Sequence, residues 1–190
     1  MKSILFILFN TRRGLDLLDD EFEDELRRKS AVIFSLYAVV EFLFHFTKDK
    51  EINGFIMNFF DLIMNVFFSI LIGTLSAYIL FKIGQWLGGK ANYIEIFSLL
   101  AYTYVPLIIA LSVVGILKNV EFFQSNYNNA NSRNLILCLS WFFSYKILVQ
   151  GFTKFNEYGI KKAMINSLPI AVLGIYDLYI VYDMYKLYYT

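Results

Sequence analysis

Between Asp61 and Lys82, and again between Glu95 and Lys118, the chain carries no charged residue. Each stretch can cross a bilayer as a helix, which takes roughly 20 apolar residues to span about 30 Å of hydrocarbon. Two such runs in one short chain make lipid part of its solvent. The composition agrees: 58% of residues are hydrophobic and 17% charged, with a mean hydropathy of +0.54, where soluble domains carry about a quarter charged residues. Charges fall in short clusters between the apolar runs. A helix satisfies its own backbone hydrogen bonds in lipid, so the expected fold is all-α: a polytopic membrane bundle of about five transmembrane helices with a short amphipathic N-terminal helix.

The first expected span covers about residues 30–46 and is interrupted by Glu41 and His45. The second, about 55–83, exceeds the length needed to cross. On one of its faces Ser69, Gly73 and Ala77 recur every fourth residue, a spacing that lets two helices approach closely. The third covers 93–117, with Pro106 near its middle. Proline removes a backbone donor and kinks a helix, leaving the Tyr102 carbonyl for Thr103 or a neighbouring helix to satisfy. The fourth covers about 134–152 and contains Lys146. A short amphipathic stretch, 153–166, follows. The fifth begins between Ala163 and Leu168, with Pro169 early in it, and fades near Lys186 among tyrosines suited to a membrane interface.

Ahead of the spans, Ile4–Phe9 is an apolar run followed by Thr11-Arg12-Arg13 instead of a small-residue cleavage site. It reads as a retained segment near the membrane surface. In residues 14–29, Leu15, Leu18, Phe22 and Leu26 repeat at helical spacing. Acidic residues come first and Arg27-Arg28-Lys29 last, as the helix dipole favours. The stretch is either a solvated face that orients the chain or a docking surface for a partner. The domain reading is therefore 1–29, a cytoplasmic or interfacial segment, and 30–190, the transmembrane domain.

Five alternating crossings place Lys2, Arg12, Arg13, Arg27, Arg28, Lys29, Lys82, Lys90, Lys154, Lys161 and Lys162 on one side. The other side receives Lys48, Lys50, Lys118, Arg133 and Lys186. The positive-inside rule then puts the N-terminus in the cytoplasm and the C-terminus outside a cell (inner) membrane.

Ionisable groups inside spans are costly and are candidates for function. Glu41, Asp61 and Asp177 could converge as a carboxylate cluster for protons or a divalent cation, hard oxygen donors suiting both. The blander alternatives are reach to water at a helix end and pairing of Asp61 with Lys48 or Lys50. Lys146 could pair with Glu95 across the third and fourth spans, or snorkel inward. One His and one Cys make no usual zinc site, and Cys138 lies in an apolar run as a small hydrophobe. No HExxH, GxSxG or Walker-type loop is present. Gly88-Gly89-Lys90 is too short for a phosphate loop and reads as a tight turn. The expectation is a non-enzymatic protein with no cofactor and, at a net charge of +1, no nucleic-acid partner.

Gly84-Gln85-Trp86-Leu87-Gly88-Gly89-Lys90-Ala91, followed by Leu99-Leu100-Ala101-Tyr102 and Val105-Pro106, resembles the Yip1 family. Gln150-Gly151 and Lys162-Ala163 extend the likeness over roughly residues 55–180. The resemblance implies a five-helix membrane protein with a cytoplasmic N-terminus. Eukaryotic members act in vesicle traffic and associate with Rab-type GTPases. This chain has no long hydrophilic stretch ahead of its spans and no Asp-Leu-Tyr-Gly-Pro motif, so that role is not carried over. Two function classes remain: a membrane scaffold acting through lipids, a membrane-protein partner or its own copies, and a permease or channel for a small solute, cation or proton.

Overall fold

The computed structural model describes the backbone of residues 2–45, 54–117 and 130–189, and the side chains of 6–44, 57–117 and 135–175. Among these residues all regular secondary structure is helical: α1 (Lys2–Phe9), α2 (Thr11–Asp19), α3 (Glu23–His45), α4 (Gly54–Trp86), α5 (Tyr93–Leu117), α6 (Ala130–Phe155) and α7 (Ile160–Tyr189). Three of them, α4, α5 and α6, contain stretches long and apolar enough to cross a membrane. The fold is an all-α membrane bundle.

Helix α5 is its axis, packing against α3, α4, α6 and α1. Most of its length is enclosed by these neighbours, while Ile109, Val113 and Ile116 turn outward. Leu99, Ala101, Tyr102 and Val114 are fully buried. Aromatic rings fasten it to α3: Phe34 lies 5.4 Å from both Phe97 and Tyr104, and Tyr37 lies 4.6 Å from Tyr104. The Ser30 and Ser98 hydroxyls hydrogen-bond at 3.0 Å across the same contact. Gly151 sets the α5–α6 approach, because a Cβ there would stand 2.0 Å from the Leu99 side chain.

Helix α4 lies at the rim and turns Phe60, Ile63, Phe67, Leu71 and Leu75 outward. Its inner face carries Ser69, Gly73 and Ala77. The Ser69 hydroxyl donates to the Phe34 carbonyl at 3.0 Å, a Cβ on Gly73 would meet the Phe34 ring at 2.6 Å, and Ala77 is fully buried. One turn further out, Asn65 donates to the Ala38 carbonyl at 3.2 Å.

The N-terminal region departs from the expected single amphipathic helix over 14–29. Helix α2 ends at Asp19, where the Asp20 N–H bonds back to the Asp16 carbonyl and the Glu21 N–H to that of Leu18, both at 3.2 Å. Helix α3 starts afresh at Glu23, with Glu23, Asp24 and Glu25 in its first turn, where a helix dipole favours acids. It then runs without a break through residue 29. Leu15, Leu18 and Leu26 are buried, but Phe22, in the corner between the helices, is 82% exposed. The run at Ile4–Phe9 becomes α1 and folds onto α2: a Cβ on Gly14 would stand 2.6 Å from the Ile7 backbone, and Ile7 is fully buried.

Helix α5 continues through Pro106, and Thr103 donates to the Leu100 carbonyl at 2.6 Å, not to that of Tyr102. One proline expectation changes. Pro169 lies well inside α7, because that helix starts at Ile160 and absorbs most of the expected 153–166 stretch.

Candidate functional site

One end of the bundle gathers α1, α2, the α4–α5 turn and the α6–α7 turn. The α4–α5 turn follows from its glycines. Gly88 adopts φ +82°, the left-handed conformation that closes a helix. Its N–H reaches the Gln85 carbonyl at 3.0 Å while the Gly89 N–H reaches the Gly84 carbonyl at 2.8 Å. Helix α5 then opens on a capping box: Glu95 N–H donates to the Asn92 side chain and Asn92 N–H to the Glu95 carboxylate, both at 2.8 Å.

The α6–α7 turn, residues 156–159, locks into that loop. Lys90 N–H donates to the Asn156 carbonyl at 3.3 Å, and Lys90 pairs with Glu157 at 2.6 Å. Lys162 donates to the Leu87 carbonyl at 2.8 Å. Beneath these contacts lie buried amides. Asn156 is 2% exposed and Asn166 fully buried. The Tyr158 hydroxyl accepts from Asn166 at 2.7 Å and from Asn156 at 3.3 Å. Only glycine fits at position 89, where a Cβ would stand 2.0 Å from Asn156 Oδ1, and a Cβ on Gly84 would press on both amides at 3.0 Å.

Ion pairs draw α2 and α3 onto the same end. Lys154 of α6 pairs with Asp16 and, at 3.5 Å, with Asp19. Lys29 pairs with Glu21 at 2.9 Å and with Glu25 at 3.5 Å. Asn92 donates to Glu23 at 3.4 Å. Hydrogen bonding to Glu21 raises the Lys29 pKa above its ordinary value, and Glu157 does the same for Lys90. Burial raises the Tyr158 hydroxyl, with Asn166 opposing the shift. The result is a latch: two turns and the amphipathic helix closed over a small polar core.

The residues singled out in the sequence are distributed differently. Glu95 serves the capping box, and Lys146 is exposed on α6; no ion pair joins them. Asp61 is exposed one turn beyond Asn65, near the height of half-buried Glu41 on α3. Asp177 belongs to α7, which packs on α6 and the latch end of α4, but its side chain lies outside the described residues, as does that of His45. Among the described residues no three His, Cys, Asp or Glu side chains group as metal ligands. Asn156, Tyr158 and Asn166 escaped the sequence reading because amides and tyrosines are scattered throughout the chain. The Asn92-x-x-Glu95 capping signature was legible and announces the start of α5.

A membrane-embedded helical bundle closed at one end by a glycine-rich latch defines the class. The Yip1 domain matches residues 20–181, and the chain belongs to the Yip1 family. Comparisons with curated proteins and with solved structures give no match.

Proposed function

We propose that this Yip1-family protein is a multi-pass scaffold of the cell membrane, acting through lipid and protein contacts, with its latched end and N-terminus in the cytoplasm and its C-terminus outside. The observation that carries the reading is the latch. The two turns and α2 devote their glycines, amides and ion pairs to fixing the shape of one polar face. A fixed face offered to the cytoplasm suits recognition. Three exposed aromatics rim it: Phe9 and Phe22 flank α2, and Trp86 ends α4, placements suited to the headgroup layer. Arg12, Arg13, Arg27, Arg28 and Lys161 at the same end support its cytoplasmic side. Around the axis, α5 is packed on apolar and aromatic side chains from α3, α4 and α6.

A photo-reactive side chain in place of Phe22 or Trp86, irradiated in intact membranes, tests this. The expected result is a discrete protein adduct from each position. Irradiation that yields no protein adduct at either position would overturn the scaffold reading.

A further inference from the structure

Helix α6 turns one stripe outward. Leu135, Leu139, Phe142 and Phe143 are exposed at helical spacing, and Lys146 continues the same face. Among the described residues no carboxylate pairs with Lys146. It does not donate to Gln150 one turn away, whose Oε1 has no hydrogen-bond partner. Lys146 lies 16 residues past Ala130, where α6 begins, and eight residues before Lys154, which pairs with the latch acids, or about 24 Å and about 12 Å at about 1.5 Å per residue. Either distance exceeds what four methylenes can bridge. Snorkelling to the latch end also runs against the helix, because side chains lean toward its N-terminus.

Among the described residues, neither Glu95 nor Asp61 supplies the counter-charge. Glu95 closes the capping box. Asp61 lies seven residues past Gly54, where α4 begins, at the end of that helix away from the latch. Asp177 lies three residues past Gly174, whose Cβ position abuts Trp141. In the antiparallel α6–α7 pair that register leaves it more than two turns from Lys146.

We infer that the α6 stripe docks a transmembrane helix of another membrane protein, one bearing an Asp or Glu near mid-membrane that pairs with Lys146. Charge complementarity selects this occupant: the bilayer centre holds no phosphate, and an unpaired charge there is expensive. The apolar residues on the N-terminal side of Lys146 supply the packing and the ion pair supplies the choice of partner. The inference deepens the scaffold reading by naming the chemistry of its partner.

The full-length protein, reconstituted in phosphatidylcholine bilayers, is titrated with a fluorescent single-span leucine-alanine peptide carrying Glu at its centre. Energy transfer should report association, weakened about tenfold or more when the peptide carries Gln or Leu. Lys146→Met should abolish the preference and Lys146→Arg should keep it. Lys146→Glu should transfer the preference to a Lys-centred peptide, a readout that survives if one variant folds poorly. Equal association of the Glu, Gln and Leu peptides overturns the inference. So does loss of the preference in phosphatidylglycerol, which would make lipid the ligand, or self-association of labelled copies that depends on Lys146. Indifferent peptides would leave the scaffold reading standing, whereas failed crosslinking at the latch would leave the peptide result standing.

Discussion

Gly89→Ala should damage the latch at a single point. The new Cβ would stand 2.0 Å from Asn156 Oδ1, 2.6 Å from its Cγ and 2.9 Å from its Cβ. Reaching even 3.0 Å from the oxygen requires Asn156 to retreat by about 1 Å. Its bond to the Tyr158 hydroxyl is already 3.3 Å long and does not survive that movement. Overpacking costs about 1–3 kcal/mol, and leaving a buried amide unpaired adds about 1–3 kcal/mol, so the variant should lose about 2–6 kcal/mol. Reversible unfolding in mixed micelles measures it. The cycle with Asn156→Gly isolates the clash: removing the Asn156 side chain removes all three close contacts, so the double variant should be more stable than the sum of the singles by about 1–2 kcal/mol. A Gly89→Ala variant within about 0.5 kcal/mol of the parent, or a cycle that closes additively, would refute the reasoning.

Gly73→Leu should separate α3 from α4, because even a Cβ meets the Phe34 ring at 2.6 Å; a loss of about 1–3 kcal/mol is expected, read as a lower unfolding midpoint. Asn92→Ala should cost about 1 kcal/mol by removing the α5 capping box, detected as faster amide exchange at Tyr93–Ile96. Lys154→Met should free α2 with little global effect, since partly exposed ion pairs contribute at most about 1 kcal/mol; amide exchange in Thr11–Asp19 should quicken, and salt should mimic it in the parent. Lys29, Lys90 and Tyr158 all have pKa values raised from ordinary values of 10.5, 10.5 and 10.0. A raised pKa contributes stability that is complete below the ordinary value and lost as pH climbs through the folded-state value. Stability measured against pH should therefore be insensitive to these groups near neutrality and fall above about pH 10, less steeply in Lys29→Met.

The membrane class and the span at 93–117 were legible because charge-free runs leave a helix few other homes. The place of each helix was not. Helices α4 and α5 read alike as apolar runs, yet one lies at the rim and the other at the axis. In water an exposed face announces itself by polarity, but lipid is as apolar as a protein core, so Phe67 and Leu99 look equivalent in sequence. The Ser69-Gly73-Ala77 face escaped this limit, because small size marks a helix contact whatever the solvent. Periodicity misled at residues 14–29: Leu15, Leu18, Phe22 and Leu26 keep register, but the acids at 23–25 suit a new helix start better than a continued face. Lys146 and Glu95 were joined on the premise that buried charges seek each other. The capping box at Asn92 holds one, and the outward face of α6 carries the other.

Proton and cation flux in proteoliposomes, with a pH-sensitive dye inside and divalent cations supplied outside, tests the central claim that this protein works by contact and not by conduction. The account predicts flux no greater than in protein-free vesicles, both for the parent and for Glu41→Gln, Asp61→Asn and Asp177→Asn. Protein-dependent flux that disappears in any of these variants would contradict it and make the protein a permease or channel that uses its carboxylates.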